Sequence, residues 1–246
     1  MNAPGTDLGA TLTATDWSFS DSSDSIEIEL VVESRPARDG YFWASQFSFV
    51  GSAVGGFVGF QSRGGYQAEP PDGDTELTDM AVFWIGGSPL RAELGDVMAP
   101  DARTYAQFTS GTQWWTIHAK YDIVACRPYR LRVARRTQEA NGDAWYGAWV
   151  RDNQTNAETF IGRILVPAAW GLLADKSVSF SDRIGWGSVT SCAYPECASA
   201  RFGIPSAGSG SLSPLTHSNR FAVPAKCASS RVTELGDAVR HELGVP

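Results

Sequence analysis

The sequence predicts an all-β fold, a two-sheet antiparallel β-sandwich or jelly roll of the concanavalin type, closed by a short C-terminal helix. Three observations predict it. Runs of period-two alternation recur along the whole chain, turn-forming clusters separate them at short intervals, and only two segments carry helical periodicity. A closed barrel is the alternative arrangement of the same strands. At 246 residues, 43% hydrophobic and 19% charged, the chain has apolar material for one core and predicts a single domain. Its expected parts are a core at about residues 10–204, a loop-rich tail at 205–228 and a helix at 229–244.

The clearest strand is 25–33, where Ile26, Ile28, Leu30 and Val32 alternate with Glu27, Glu29, Val31 and Glu33. One face is therefore core and the other wet. Residues 35–40 make a turn, and the aromatic-rich runs 41–50 and 55–61 read as a hairpin around a glycine-rich link. Residues 62–78, with Gly64, Gly65, Pro70, Pro71 and Gly73, form a surface loop. Further strands are expected at 78–85, 105–109, 114–121, 129–135, 144–151, 159–166 and 178–186. Asn141-Gly142 is a strong hairpin signal and residues 152–156 a second, longer turn, so three of these strands should form a meander. A short helical turn is expected at 167–173. In the tail Val232, Leu235, Val239 and Leu243 fall on one stripe, with Ser229 or Ser230 as N-cap and Gly244 after the end, the pattern of an amphipathic helix. Gly236 weakens that helix by about 1 kcal/mol relative to Ala. The Gly, Ser and Pro stretch 203–218 reads as a loop crossing the surface.

A formal net charge of −7 argues against nucleic acid as a partner. The one basic cluster, Arg127, Arg130, Arg132, Arg135 and Arg136, occupies a strand and its turn, and reads as a solvated face. No run of eighteen apolar residues exists, so no membrane-spanning helix is expected. The four cysteines point to an oxidising, secreted or cell-surface setting, with a signal peptide removed. Cys192 and Cys197 enclose a turn-forming insert and are expected to pair, leaving Cys126 with Cys227 as a longer clip; the other pairings stay open. Zinc is disfavoured because Cys126 and Cys227 are isolated. No cofactor is expected, although Asp72, Asp74 and Glu76 could hold a structural calcium ion.

The run Tyr41, Phe42, Trp43, Ala44, Ser45, Gln46, Phe47, followed by Gly56, Phe57, Val58, Gly59, Phe60, Gln61, resembles the opening of an uncharacterised bacterial domain-of-unknown-function family. Residues 80–84, 121–135 with Pro128, Tyr129, Arg130 and Leu131, and 145–152 leading to 158–167 are similar in kind and order, so the resemblance spans roughly 41–167. It implies a secreted β-sandwich often found with carbohydrate-active modules, and it implies no catalytic residues. At 111–115 the bulky Gln113, Trp114 and Trp115 stand where the family has a Gly-rich stretch.

Nine tryptophans and seven tyrosines are the main functional signal. Sugar rings stack their C–H faces on aromatic planes while their hydroxyls need amides or charges at the rim. Trp43 with Gln46, Gln61, Trp84, Gln113 with Trp114, and Trp145 with Trp149 supply such sets, and predict a polysaccharide- or oligosaccharide-binding groove including Trp84, Trp114 and Trp145. Trp114 and Trp115, being adjacent on a strand, must point to opposite faces. Trp145 and Trp149 share a face with Gly147, which should leave a groove between them.

A polysaccharide lyase or glycoside hydrolase is the alternative reading, and a structural envelope or adhesion module the third. Arg91-Ala92-Glu93-Leu94 and Ile117-His118 resemble elements of alginate-lyase jelly rolls, although Thr116 stands where those have Gln. That resemblance implies His118, Tyr121 and Arg91 as the catalytic set, a proton mover and a carboxylate neutraliser. His118 would share a face with Trp114, Thr116 and Lys120 if Trp115, Ile117, Ala119 and Tyr121 are buried. No Gly-x-Ser-x-Gly, His-Glu-x-x-His, phosphate-loop or dinucleotide motif is present.

Overall fold

The fold comes from a computed structural model that describes residues 11–36, 40–66, 76–87, 89–94, 103–109, 112–183, 197–222 and 230–244. In chain order the strands are β1 (Thr11–Ser18), β2 (Ser25–Ser34), β3 (Tyr41–Phe49), β4 (Gly55–Tyr66), β5 (Glu76–Ile85), β6 (Arg91–Leu94), β7 (Arg103–Thr109), β8 (Thr112–Lys120) and β9 (Pro128–Gln138). They continue with β10 (Ala144–Asp152), β11 (Glu158–Val166), β12 (Leu173–Arg183), β13 (Ala198–Gly203), β14 (Ser206–Ala207), β15 (Thr216–Ala222), β16 (Ser230–Glu234) and β17 (Ala238–Leu243). One sheet has eight strands in the order β15-β1-β12-β3-β4-β5-β8-β7. The other has nine, in the order β16-β17-β13-β2-β9-β10-β11-β6 with β14 beside β2. All pairings are antiparallel.

The expected alternation fills the space between the sheets. Ile26, Ile28, Leu30 and Val32 of β2, with the inner residues of β9 to β11 from the same sheet, share one core cluster with Trp43 and Phe47 of β3, Phe60 of β4 and Phe83 and Ile85 of β5 from the other. The β9–β10–β11 meander forms as expected, with Asn141 and Gly142 in its first turn, where Gly142 adopts φ +92°. The expected helical turn is a single 3₁₀ turn, Ala168–Trp170.

The tail is not a helix. Residues 230–243 form the hairpin β16–β17, turning at Gly236 (φ +86°) and Asp237, with the Leu235 N–H donating to the Ala238 carbonyl at 2.8 Å. A stripe at positions 235, 239 and 243 also fits a strand in which Val239, His241 and Leu243 alternate inward, and Gly236 supplies the backbone conformation that a two-residue turn needs. Neither expected disulfide lies wholly within the described residues. Cys126 and Cys197 are free thiols, the first held in a left-handed turn (φ 61°) with Sγ at the Glu33 carbonyl, the second with Sγ at the Gly244 carbonyl. Their expected partners Cys227 and Cys192 lie outside the described residues, as do Asp72 and Asp74. Of Glu76 only the backbone, at the start of β5, is described. The β16–β17 hairpin is joined to the fold through the pairing of β17 with β13.

Candidate functional site

The two outer faces of the sandwich carry the aromatic residues that the core does not absorb. On the nine-stranded sheet, Ala144, Tyr146, Ala148 and Val150 of β10 point inward, so Trp145, Gly147, Trp149 and Arg151 point out, as their alternation predicts. That face is closed by its own side chains. Trp149 and Phe160 stack at 5.0 Å between centroids and lie over Gly147, where any Cβ would strike the Trp149 ring at 2.6 Å. The expected groove at this glycine is therefore filled by the neighbouring ring. Trp145 is buried beneath Arg91 and Arg163, whose guanidinium carbons sit 4.8 and 4.4 Å from its ring centroid, and its Nε1 donates to Glu139 at 2.8 Å. Arg132 covers Trp149 at 4.4 Å. Carboxylates match these cations: Glu93 with Arg91 and Arg163, Glu158 with Arg132, Glu27 with Arg130, and Asp152 with Arg127.

The outer face of the eight-stranded sheet is different. The register aligns Ala14 of β1, Phe180 of β12, Ala44 of β3, Gly59 of β4 and Val82 of β5 in one row across the sheet. A Cβ at Gly59 would meet the Ala44 Cβ at 2.3 Å, so the floor at this point accepts only glycine. Above these small residues the rings of Phe57 and Phe180 meet edge-on at 6.0 Å, and those of Phe42 and Phe57 at 6.3 Å. Phe42, Met80 and Val82 form a second apolar cluster with Phe57 and Phe180, outside the core between the sheets.

A cavity of about 300 Å³ opens on this face, lined by Leu12, Phe42, Gln46, Phe57, Trp84, Trp114, Val178, Phe180, Asp182 and Arg220. Trp84 stacks on Phe57 at 5.5 Å and 17°, and Trp114 lies 6.5 Å from Trp84 at 48°. Both indoles are half-buried. Beyond Gln46, Val178 and Arg220 the depression continues into a smaller one of about 170 Å³ that reaches Asp16 and Lys176. At that end the Arg220 Nε donates to Asp16 Oδ2 at 2.7 Å. Asp182 sits at the other end, 4% exposed, with Oδ1 lacking a hydrogen-bond partner. Burial pushes its carboxyl up to about 6, against the stabilising pull of the Arg183 backbone N–H.

Of the eight residues expected to bind ligand, Gln46, Trp84 and Trp114 are thus brought together. Gln61 shares the outer face beside Phe42 and Met80 but does not line the cavity. Gln113 alternates with Trp114 on β8, away from it. Trp43 is sealed in the core, stacked on Tyr41. Trp145 and Trp149 belong to the opposite sheet, so the groove expected to join Trp84, Trp114 and Trp145 does not exist as one surface.

The expected catalytic trio is dispersed. His118 faces outward on β8 with Trp114, Thr116 and Lys120 while Ile117 and Ala119 fill the core, as the alternation implies, and burial lowers its pKa to about 4. Tyr121 packs inward on Phe60 and Tyr129, and burial pushes its hydroxyl well up. Arg91 lies on the edge of the other sheet over Trp145. No proton relay links the three, because strand alternation sends His118 and Tyr121 to opposite faces. Asp182 and Arg220 were missed. A lone acid among Val178, Phe180 and Ile184 was the available sign of the first.

Comparison with known proteins gives a likeness of shape. No family model matches the chain, and no curated protein matches it, so the family resemblance read over residues 41–167 receives no support. Among solved structures, scytalido-glutamic peptidase with a transition-state analogue inhibitor is similar at 10% identity, covering 95% of this chain and 98% of that one with a TM-score of 0.49. SCP-B, a member of the eqolisin family of peptidases in complex with the tripeptide Ala-Ile-His, is similar at 10% identity, with the same coverage and a TM-score of 0.48. Likenesses this distant carry nothing about activity.

Proposed function

We propose that the outer face of the eight-stranded sheet is a saccharide-binding site, with Trp84 and Trp114 as the stacking platform and Gln46 as the hydroxyl-reading amide. The carrying observation is that these two indoles line one cavity of about 300 Å³ with an amide beside them. A space of this size falls at the low end of ligand cavities, about 300–1,000 Å³, and suits a short oligosaccharide segment. Asp16, Arg220 and Lys176 form a polar rim where a chain would leave it.

Binding is favoured over cleavage by the spacing of the acids. Asp16 pairs across from Val178, and Asp182 lies four residues further along β12, about 13 Å away at strand rise. Glycosidases use two carboxyls about 5–9.5 Å apart. The lyase reading lost its residues when His118, Tyr121 and Arg91 proved to be dispersed.

A glycan array followed by titration calorimetry tests the reading. Wild type should bind at least one oligosaccharide class, and Trp84→Ala and Trp114→Ala should each weaken it by about tenfold or more. Silence across neutral, acidic and basic glycans, or indifference to both substitutions, refutes it.

A further inference from the structure

The cavity contains one feature whose charge a neutral sugar does not compensate. Asp182 is buried in an otherwise apolar wall, and its Oδ1 has no hydrogen-bond partner among the described residues. An orphaned carboxylate oxygen costs the desolvation of a charge unless something donates to it. Its neighbours do not. From β1 it faces Leu12 and Ala14, from β3 Phe42 and Ala44, and along β12 Phe180. Gln61 of β4, Met80 of β5 and, at the far end, Lys120 of β8 lie beyond Phe42 in the same row. Arg220 of β15 is the one cationic side chain lining the cavity among the described residues, and its Nε is engaged by Asp16. With Arg220 paired to Asp16, Asp182 is the one acid lining the cavity itself and meets no cation there among the described residues. Aromatic faces held near a desolvated carboxylate are the surroundings that recognise a protonated amine, through cation–π attraction and a charge-assisted hydrogen bond.

Resting on the saccharide reading above, we propose that the ligand carries a protonated primary amine, as an amino sugar does, and that Asp182 is its counter-ion. The amine nitrogen donates to Oδ1, and the sugar ring lies against Trp84 and Trp114. The cavity's composition thereby selects a basic glycan over its N-acetylated or unsubstituted counterpart, because the ammonium both donates to the buried acid and neutralises its charge, whereas a hydroxyl or amide only donates. Ligand-free, Asp182 holds its proton up to about pH 6. Affinity should accordingly peak between that pH and the pKa of the ligand's own amine, and fall at pH 5, where the carboxyl is neutral.

The test is calorimetry at pH 7 and pH 5 with a glucosamine tetramer, its fully N-acetylated form and a glucose tetramer of the same linkage, on wild type and Asp182→Asn. Phenethylamine and phenethyl alcohol serve as a non-sugar pair. The expected result is about a tenfold preference for the amine tetramer at pH 7, lost at pH 5 and lost in Asp182→Asn, whose fold is checked by near-ultraviolet circular dichroism. Equal binding of the three tetramers, or a preference that survives Asp182→Asn, overturns the amine proposal and leaves the saccharide reading standing. If no tetramer binds but phenethylamine binds through Asp182 and phenethyl alcohol does not, the counter-ion role stands and the saccharide reading falls. If nothing binds, both fall.

Discussion

The two outer faces draw on the same residue types and reach opposite results. On the nine-stranded sheet Trp145 and Trp149 are covered by the guanidinium groups of Arg91, Arg163 and Arg132, each of which meets a carboxylate, and Trp145 is buried beneath them. On the eight-stranded sheet the rings meet one another, the acid Asp182 lacks a partner for one oxygen, and a cavity remains. Long cationic side chains can lie flat over neighbouring rings and satisfy them in place, whereas aromatic and aliphatic side chains around a floor of Ala44 and Gly59 leave shaped space. A surplus of tryptophan is therefore not itself a binding signal. What matters is whether arginines sit within reach of it.

The sharpest way to break this contrast is to remove one indole from each face. Trp145→Ala should cost about 3 kcal/mol of stability, measured by urea denaturation, and leave glycan binding unchanged, because its burial is structural. Trp114→Ala should do the reverse. If Trp145→Ala weakens binding while Trp114→Ala does not, the assignment of the two faces is inverted.

The next effect concerns His118, which burial holds neutral down to about pH 4. Its folded pKa lies below the unfolded value, so the unfolded chain takes up the proton first as pH falls. Stability is then fully present above about pH 6.5 and lost progressively towards pH 4, on the order of 3 kcal/mol in all. His118→Gln should remove that part of the acid loss. His241, sealed at the seam between the sheets with Nε2 at 2.9 Å from Thr15 Oγ1 and a pKa lowered by burial to about 3, should leave a residual loss below pH 6.5 in the same variant. An unchanged acid limb in His118→Gln would show that this side chain is solvated.

Asp182 works with the opposite sign. Its folded pKa is raised, so its contribution is fully present below about pH 4 and is lost as pH rises through 6. Asp182→Asn should therefore stabilise the protein at pH 7.5, on the order of 2 kcal/mol, with the gain vanishing near pH 4. A destabilised Asn variant at pH 7.5 would mean that the carboxylate has a partner in the ligand-free protein. The smallest expected effect is that of Arg163→Ala, about 1 kcal/mol, from uncovering one face of Trp145. A rise in the exposure of Trp145, read as a red shift of its fluorescence, accompanies it.

Most of the strands were legible because their alternation is strong and their turns carry Gly, Asn or Pro at the required places. All ten expected strands appear, seven more appear with them, and the missed ones have particular causes. In β1 the inward residues are Thr13, Thr15 and Trp17 and the outward ones Leu12, Ala14 and Asp16, so polar and apolar positions are not the expected way round. The hydroxyls are admitted because partners exist only in three dimensions: the Ser181 carbonyl for Thr13, and Asn219 with His241 for Thr15. The tail was misread because positions 239 and 243 belong to a helical stripe and a strand face alike, and only pairing with β13 decides between them.

By itself the sequence determined that this chain is built of antiparallel strands and that Trp114 and His118 share one strand face, since a period of two allows nothing else. Tertiary structure alone decided which face of β12 is inside. Ser177, Ser179 and Ser181 are buried there, with Trp17 Nε1 donating to Ser179 Oγ at 2.9 Å, while Val178, Phe180 and Asp182 point outward to line the cavity. Local hydropathy would have chosen the other face. The pairing of β12 between β1 and β3 overrode it, because a strand's register is set by its neighbours and one choice fixes every side chain at once.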